Sequence, residues 1–203
     1  TKDILYKLMS LDMLETYYLV GGTALALQLG HKHSVDLDLF GKTTLYYDEL
    51  IDSCKEIGQV AGQKQVKNTA DGKHHATLIQ FTLNGVKIDI LQYNEVLIKP
   101  IIKYESLRLA SIEDIAAMKV RAIEDRGARK DFYDLYSLLD KFSLSEILEL
   151  SKIKYGQKSS MFSLQCMLDF NDADEEKDPV SSINLSWDTV KSRVSSEARK
   201  LLL

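Results

Sequence analysis

Residues 17–40 read YYLVGGTALALQLGHKHSVDLDLF, and this stretch decides the fold. The apolar run at 17–20 predicts a short strand that stops at the pair Gly21-Gly22. Good helix formers fill residues 23–29, so a helix follows the glycines. Residues 35–40 then alternate between apolar and acidic side chains, as a strand with one buried face does. The stretch therefore predicts a strand, a glycine turn, a helix and a second strand.

Further elements lie on both sides of a predicted β-hairpin at residues 76–92, where Asn84-Gly85 is typical of a two-residue turn. The apolar spacing predicts helices at 3–15, 44–57, 111–126, 129–141, 143–152, 157–169 and 187–202, and a loop at 172–179. The expected fold class is α+β. A lobe with a mixed β-sheet is expected over residues 1–105, followed by a helical lobe over residues 106–203.

The bulk composition argues against two classes of protein. The 203 residues carry a formal net charge of −4, whereas a protein that coats DNA needs a basic surface. No apolar run reaches membrane-spanning length, and no signal peptide precedes the first helix. We therefore expect a cytoplasmic protein without membrane contact.

Asp36 and Asp38 are candidate metal ligands. They stand two residues apart in the predicted strand, so both side chains leave the same face, about 6–7 Å apart. Two such carboxylates repel each other unless a cation lies between them, and oxygen ligands suit Mg²⁺. The alternative is an exposed strand face, which is the commoner origin of an isolated Asp-x-Asp pattern.

Asp89 is a third candidate ligand. It lies between Ile88 and Ile90 in the return strand of the hairpin. A carboxylate inside a mostly buried strand is costly unless it is paired or bound to a metal. If this strand lies beside the first acidic strand, three carboxylates converge and can hold one or two divalent ions. The alternative is a salt bridge between Asp89 and a nearby lysine.

Gly21, Gly22 and Thr23 form a candidate phosphate-binding turn. Glycines let the backbone approach an anion, and the helix that follows presents N–H groups to it. Thr23 either adds a hydroxyl to such a site or caps the helix.

Lys119 is an anomaly in the predicted helical lobe, because it falls inside the apolar stripe of the helix at 111–126. A lysine on a buried face needs a carboxylate or a ligand phosphate, unless its stem reaches solvent at the edge. Arg129 belongs to a basic stretch that could receive a triphosphate or an RNA backbone, or could be a solvated helix face. Asp131 could pair with these basic side chains, orient Lys119 or act as a base.

Four segments together resemble the nucleotidyltransferase toxins of the AbiEii/AbiGii type. They are VGGTAL at 20–25, HKHSVDLDLF at 31–40, DIAAMK at 114–119 and RGARKDFYDL at 126–135. The resemblance spans residues 17–140. It implies a polymerase-β-like nucleotidyltransferase fold, transfer of a nucleotide from a nucleoside triphosphate to an acceptor hydroxyl, and a place in a toxin–antitoxin or phage-defence (abortive infection) module.

The resemblance also implies roles for matching residues. By position, Gly22 and Thr23 match the phosphate loop of the family, Asp36 and Asp38 its metal-binding pair, and Lys119 and Asp131 its second pair of active-site residues. The acceptor would be RNA such as tRNA, or a protein, and a cognate antitoxin is an expected partner. His31-Lys32-His33 stands where an arginine is frequent, and His31, His33, His74 and His75 are expected at the surface or in loops.

The residues and the resemblance together predict an Mg²⁺-dependent nucleotidyltransferase. The predicted catalytic residues are Asp36, Asp38, Asp89, Lys119 and Asp131; the predicted nucleotide-binding residues are Gly21, Gly22, Thr23, Lys119 and Arg129; the predicted Mg²⁺ ligands are Asp36, Asp38 and Asp89. Two alternatives stay open: a non-catalytic nucleotide- or partner-binding module on the same fold, and a metal-dependent nuclease.

Overall fold

The computed structural model describes residues 1–68, 76–92, 96–156, 159–180 and 185–202. His74, His75 and the first two residues of the helix predicted at 157–169 lie outside these ranges. The elements, in chain order, are α1 Lys2–Met9, β1 Tyr18–Val20, α2 Gly21–Leu29, β2 Leu37–Gly41, α3 Tyr47–Ile57, β3 Val60–Asn68, β4 Ala76–Leu83, β5 Val86–Gln92, β6 Ile102–Tyr104, β7 Leu107–Leu109, α4 Ile112–Arg126, α5 Arg129–Leu138, α6 Leu144–Tyr155, α7 Ser160–Leu168, α8 Asn171–Asp174 and α9 Trp187–Lys200.

The chain divides into two compact units, one built on the sheet and one helical. The sheet unit comprises Thr1–Ala24, Val35–Val96 and Pro100–Ala110; the helical unit comprises Leu25–Ser34, Leu97–Lys99 and Ser111–Leu203. The predicted single boundary between residues 105 and 106 differs from this division, because two short early segments group with the C-terminal helices. The mixed sheet and the helices confirm the α+β fold class.

The sheet has seven strands in the order β3-β4-β5-β2-β1-β7-β6. β2 runs parallel to β5 and antiparallel to β1, and β1 runs parallel to β7. Apolar side chains on alternating positions bury one face of the central strands, as the sequence predicts: Leu37, Leu39, Ile79, Phe81, Leu83, Ile88 and Ile90. The predicted hairpin is confirmed, because Asn84 and Gly85 both have positive φ, 50° and 79°.

Two details of the acidic strand were predicted wrongly. β2 begins at Leu37, so Asp36 precedes the strand instead of lying within it. Val35 was expected on the buried face and is 60% exposed. Only Asp38 of the acid pair therefore has its side-chain direction fixed by strand geometry.

Several elements differ from the sequence prediction. β3, β6 and β7 were not predicted, and the short helix α8 lies at the start of a segment predicted as loop. The predicted first helix ends at Met9, and a 3₁₀ turn follows at Asp12–Leu14. Each of these elements is short or polar, so local sequence carries little signal for it.

The helical unit is built around α4. Ser111 caps this helix by accepting a hydrogen bond from the Asp114 amide at 3.0 Å, and Gly127 ends it with a left-handed φ of 52°. The core of the unit is formed by apolar side chains of α4, α5, α6 and α9, among them Ile115, Val120, Phe132, Leu135, Ile147, Val190 and Val194. No described helix is both long enough and apolar enough to cross a membrane.

Candidate functional site

The sheet unit brings Asp38 and Asp89 together. In the parallel pair of β2 and β5, Asp38 lies directly opposite Asp89, with Leu37 opposite Ile88 and Leu39 opposite Ile90. Neighbouring strands are about 4.8 Å apart, so the two acidic residues occupy adjacent positions on one face of the sheet. The other face holds the buried leucines and isoleucines. Two carboxylates thus share a small, partly exposed area of the sheet.

Asp89 is held by two neighbours. Gln80 on β4 donates from Nε2 to its Oδ1 at 3.1 Å, and Lys87 donates from Nζ to its Oδ2 at 2.9 Å. The lysine salt bridge considered as an alternative in the sequence is therefore present. The pKa of Lys87 is raised, first by this hydrogen bond with Asp89 and further by the charges of Asp89, Asp38 and Asp36. All three carboxylates therefore act on the same ammonium group.

The three acids do not form a complete metal cage. Within the ranges that the structure describes, no three or more His, Cys, Asp or Glu side chains are arranged to hold one ion. Of the three predicted ligands, Asp38 and Asp89 are adjacent, and Asp36 lies in the segment before β2. The donor chemistry still fits Mg²⁺, which is typically bound by one or two carboxylates together with substrate phosphates and water.

The glycine turn lies against Asp38. Val20 pairs with Asp38 across β1 and β2, and Gly21 follows immediately with a left-handed φ of 70°. A Cβ atom at Gly21 would stand only 2.7 Å from Oδ2 of Asp38, so the position accepts no side chain without a shift. Gly22 continues into the first turn of α2, where amide groups have no acceptor within their own helix.

Thr23 has a structural contact in this turn. Its side chain is buried, and its hydroxyl donates to the main-chain carbonyl of Asp36. The contact fixes the segment that carries Asp36 to the start of α2.

In the helical unit, Lys119 is buried between two carboxylates. Its Nζ lies 2.8 Å from Oδ1 of Asp131 and 2.6 Å from Oδ2 of Asp134. Burial alone would lower the pKa of Lys119, but the two carboxylates outweigh it and raise the pKa. Arg126 also binds Asp131, from Nε to Oδ2 at 2.8 Å. Of the two alternatives left open for Lys119, the structure shows carboxylate partners and a side chain that is only 6% exposed.

The same cluster contains two residues that the sequence did not assign to it. His31 was expected at the surface, but it is buried, and its Nε2 lies 2.8 Å from Oδ1 of Asp134. Nζ of Lys32 lies 2.6 Å from the same oxygen. Residues 31–36 form no helix and no multi-residue strand, so no periodic pattern marks them as buried. His33 is exposed, as expected.

Arg129 has a structural position. Its guanidinium donates to the main-chain oxygens of Ala173 and Asp174 at 2.8 and 3.0 Å and to Asp178 Oδ1 at 2.9 Å. It also lies over the ring of Trp187, 4.9 Å from the centroid. These contacts engage the guanidinium within the helical unit, and the role of Arg129 in nucleotide binding stays a prediction.

Known proteins resemble this chain along nearly its whole length. The sequence model of the family described as "Nucleotidyl transferase AbiEii toxin, Type IV TA system" matches residues 3–200. An uncharacterized protein of Aquifex aeolicus (strain VF5) is 32% identical over 205 residues, which cover 99% of this chain and 95% of that one.

Two solved structures share the fold. JHP933 from Helicobacter pylori is 16% identical, with a TM-score of 0.59 over 98% of this chain and 88% of its own. The nucleotidyltransferase toxin MenT4 from Mycobacterium tuberculosis H37Rv is 16% identical, with a TM-score of 0.53 over 99% of this chain and 81% of its own. Because the family match extends over almost every residue that carries the sheet and the helices, the chain belongs to the AbiEii nucleotidyl transferase toxin family of type IV toxin–antitoxin systems and is a nucleotidyltransferase.

Proposed function

We propose that this nucleotidyltransferase depends on Mg²⁺, takes a nucleoside triphosphate as donor and transfers the nucleotide to a hydroxyl of RNA such as tRNA. Membership in the family implies a nucleotide substrate and a cognate antitoxin. The observation that carries the proposal is the position of Asp38, directly opposite Asp89 and against the Gly21 backbone.

The carboxylates and the turn suit the two halves of a metal–triphosphate complex. Asp38 and Asp89, with Asp36 from the adjoining segment, supply oxygen ligands for Mg²⁺. Gly21 and Gly22 allow close approach of phosphate to the start of α2, where main-chain amides stabilise anions. The protein set is incomplete by itself, so we expect Mg²⁺ to bind together with the triphosphate far better than alone.

Catalysis in this scheme is chiefly positioning and charge neutralisation. When bound, Mg²⁺ withdraws charge from the phosphate oxygens and favours attack at the α-phosphate with loss of pyrophosphate. Asp38 and Asp89 fix the complex on one sheet face. In the helical unit, Asp131 orients the Lys119 ammonium through the 2.8 Å ion pair, and we propose a catalytic role for this pair.

The test is label transfer with matched carboxylate variants. The wild type is incubated with Mg²⁺, total RNA or total protein, and each nucleoside triphosphate labelled at the α-phosphate. Asp38→Asn is compared with Asp52→Asn, which alters an exposed aspartate on α3 of the same unit. We expect labelled RNA from the wild type and Asp52→Asn, and a loss of about 100-fold or more in Asp38→Asn.

Three results would contradict the proposal. If transfer survives in Asp38→Asn, Asp38 is not an essential Mg²⁺ ligand; if it survives in EDTA, the reaction does not depend on Mg²⁺. Label that enters the product from a second donor, labelled at the γ-phosphate instead, shows phosphoryl transfer in place of nucleotidyl transfer. Label that appears only in protein replaces RNA as the acceptor class.

A further inference from the structure

Both oxygens of the Asp89 carboxylate are engaged within the sheet unit. Nζ of Lys87 lies 2.9 Å from Oδ2, and Nε2 of Gln80 donates to Oδ1 at 3.1 Å. Lys87 and Asp89 stand two residues apart on β5, so their side chains leave the same face of the sheet, whereas Ile88 between them is buried on the other face. In the part of the chain that the structure describes, Gln80 and Lys87 are the polar partners of the Asp89 side chain.

Lys87 also lies beside the segment that carries the other two acids. Leu37 is paired with Ile88 across β2 and β5, so the residues that precede this pair on the two neighbouring strands are Asp36 and Lys87. The charges of all three predicted metal ligands act on the Lys87 ammonium, with that of Asp89 the largest. Lys87 is therefore the cation that the protein itself places among these carboxylates.

The bond between Lys87 and Asp89 is one that can open. The lysine side chain is 53% exposed and the aspartate side chain 20%. An exposed ion pair contributes little to stability, because water replaces each partner when the pair separates. The amide of Gln80 is neutral and does not repel a cation, so it keeps Asp89 oriented while Lys87 leaves. Lys87 is thus an exchangeable cation beside a fixed carboxylate.

A divalent ion that binds Asp89 meets Lys87 as a competitor. The Mg²⁺–oxygen distance is about 2.1 Å, so an ion on Oδ2 lies within about 5 Å of Nζ while Lys87 keeps its 2.9 Å bond. Repulsion between a double and a single positive charge at this distance weakens binding about tenfold, even at the dielectric constant of water. If the lysine turns away, the ion must replace an existing ion pair. A triphosphate brings negative charge that compensates both cations.

We propose that Lys87 makes metal binding depend on the nucleotide: it holds Asp89 against divalent ions that arrive alone and releases it to the metal–triphosphate complex. This inference rests on the proposed function, because it takes Asp38 and Asp89 as Mg²⁺ ligands. Lys87 is a positioning residue in this scheme, since it acts through Asp89. All the residues concerned lie on one face of the sheet unit.

The experiment measures ion binding without turnover. Mn²⁺, which takes the same oxygen ligands as Mg²⁺, is titrated into nucleotide-free protein in about 10 mM salt, and the unbound ion is counted by electron paramagnetic resonance. The proteins are wild type, Lys87→Met and Lys87→Arg. Lys103→Met is the control for the loss of one positive charge, because Lys103 is exposed on β6 at the edge of the same sheet.

We expect Lys87→Met to bind free Mn²⁺ about tenfold more tightly than the wild type does, and Lys87→Arg and Lys103→Met to stay within about threefold. The gain should disappear when Asp38→Asn is added to Lys87→Met. The complex of Mn²⁺ with inorganic tripolyphosphate should bind wild type and Lys87→Met within about threefold of each other, because the phosphate charge compensates Lys87.

Four outcomes overturn the proposal. Equal affinity of wild type and Lys87→Met for free Mn²⁺, or no detectable binding to either, shows that Lys87 does not oppose the ion. An equal gain in Lys103→Met reveals an effect of total charge. A gain that survives Asp38→Asn places the ion elsewhere. If the tripolyphosphate complex gains as much as the free ion does, Lys87 does not discriminate between them.

This proposal and the proposed function fail separately. If RNA labelling requires Asp38 and Mg²⁺ while Lys87→Met binds Mn²⁺ no better than the wild type, the proposed function stands and the role of Lys87 falls. If Lys87→Met gains an ion that requires Asp38, but no nucleotide is transferred to RNA, the role of Lys87 stands and the proposed reaction falls.

Discussion

Replacing Gly21 by alanine tests the candidate site by adding one methyl group. Gly21 has a φ of 70°, which alanine adopts at a cost of roughly 1–2 kcal/mol. Its new Cβ would also lie 2.7 Å from Oδ2 of Asp38. The substitution therefore combines an unfavourable backbone conformation with a steric displacement of Asp38, the predicted metal ligand.

The expected effect on the rate follows from how far the Asp38 carboxylate must move. To reach an ordinary contact distance of 3.4 Å, Asp38 must move by roughly 0.7 Å. A misplacement of about 1 Å costs on the order of 100-fold in rate when the group positions reactants. We expect Gly21→Ala to lose nucleotidyl transfer by a factor approaching 100, with weakened binding of the Mg²⁺–nucleotide complex.

Gly62→Ala is the matched control. Gly62 lies on β3 of the same unit with a φ of 63°, and a Cβ there meets no atom within 4 Å. Both variants should lower the unfolding temperature by about 2–8 °C, because alanine is disfavoured at the positive φ of either position. Only Gly21→Ala should lose activity. Transfer is measured with the α-labelled donor, and stability by thermal unfolding.

A single pattern would refute the reasoning. If Gly21→Ala and Gly62→Ala lose the same stability and both keep wild-type transfer, the methyl group does not disturb a catalytic carboxylate. Asp38 would then not be a ligand whose position limits the reaction.

Three further predictions concern the helical unit and its controls. Asp114→Asn should lower the free energy of unfolding, measured in urea, by about 3–5 kcal/mol, because it removes the buried carboxylate charge that binds Lys154 at 2.9 Å and accepts from the amides of Ile98 and Lys99. Asp52→Asn at an exposed pair should change nothing measurable. Burial raises the pKa of Asp134, but its ion pairs outweigh burial and hold this pKa well below the unfolded value of about 3.9. The free energy of unfolding should therefore be constant above about pH 5 and fall below about pH 4. In Asp134→Asn this fall should be less steep. Arg129→Lys should lower the unfolding temperature, because a lysine cannot reproduce the planar guanidinium that donates to two carbonyls and a carboxylate. The KM for the nucleotide should not rise. A raised KM would support the predicted role of Arg129 in nucleotide binding.

The sequence predicted best where local chemistry and tertiary structure agree. The turn at Asn84-Gly85 needs positive φ at both positions, and few other residue pairs adopt it easily. The helix α4 has a cap at Ser111, an apolar stripe and a glycine stop at Gly127. Alternation also placed Asp38 and Asp89 opposite buried apolar residues, although the adjacency of their two strands was only a condition of the hypothesis.

The prediction failed where a residue's environment comes from distant parts of the chain. β3 reads VAGQKQVKN, a polar sequence without alternation, and it becomes a strand because it pairs with β4 at the edge of the sheet. His31 and Lys32 follow the glycine after α2, and both bind Asp134, which lies about one hundred residues later in the chain. Asp36 precedes β2, and its main-chain carbonyl accepts a hydrogen bond from Thr23, a tertiary contact that the local pattern does not indicate.

Arg108 on β7 has a consequence for how the chain folds during synthesis. Its guanidinium donates to the main-chain oxygens of Tyr17, Met9 and Leu14 at 2.7, 3.0 and 3.0 Å. These bonds hold the N-terminal segment against β7. These three carbonyls lack the Arg108 donor until the ribosome has added about ninety more residues. We expect a nascent chain stalled before β7 to keep its N-terminal segment sensitive to protease, and protection to arise abruptly once residues 107–110 have left the exit tunnel.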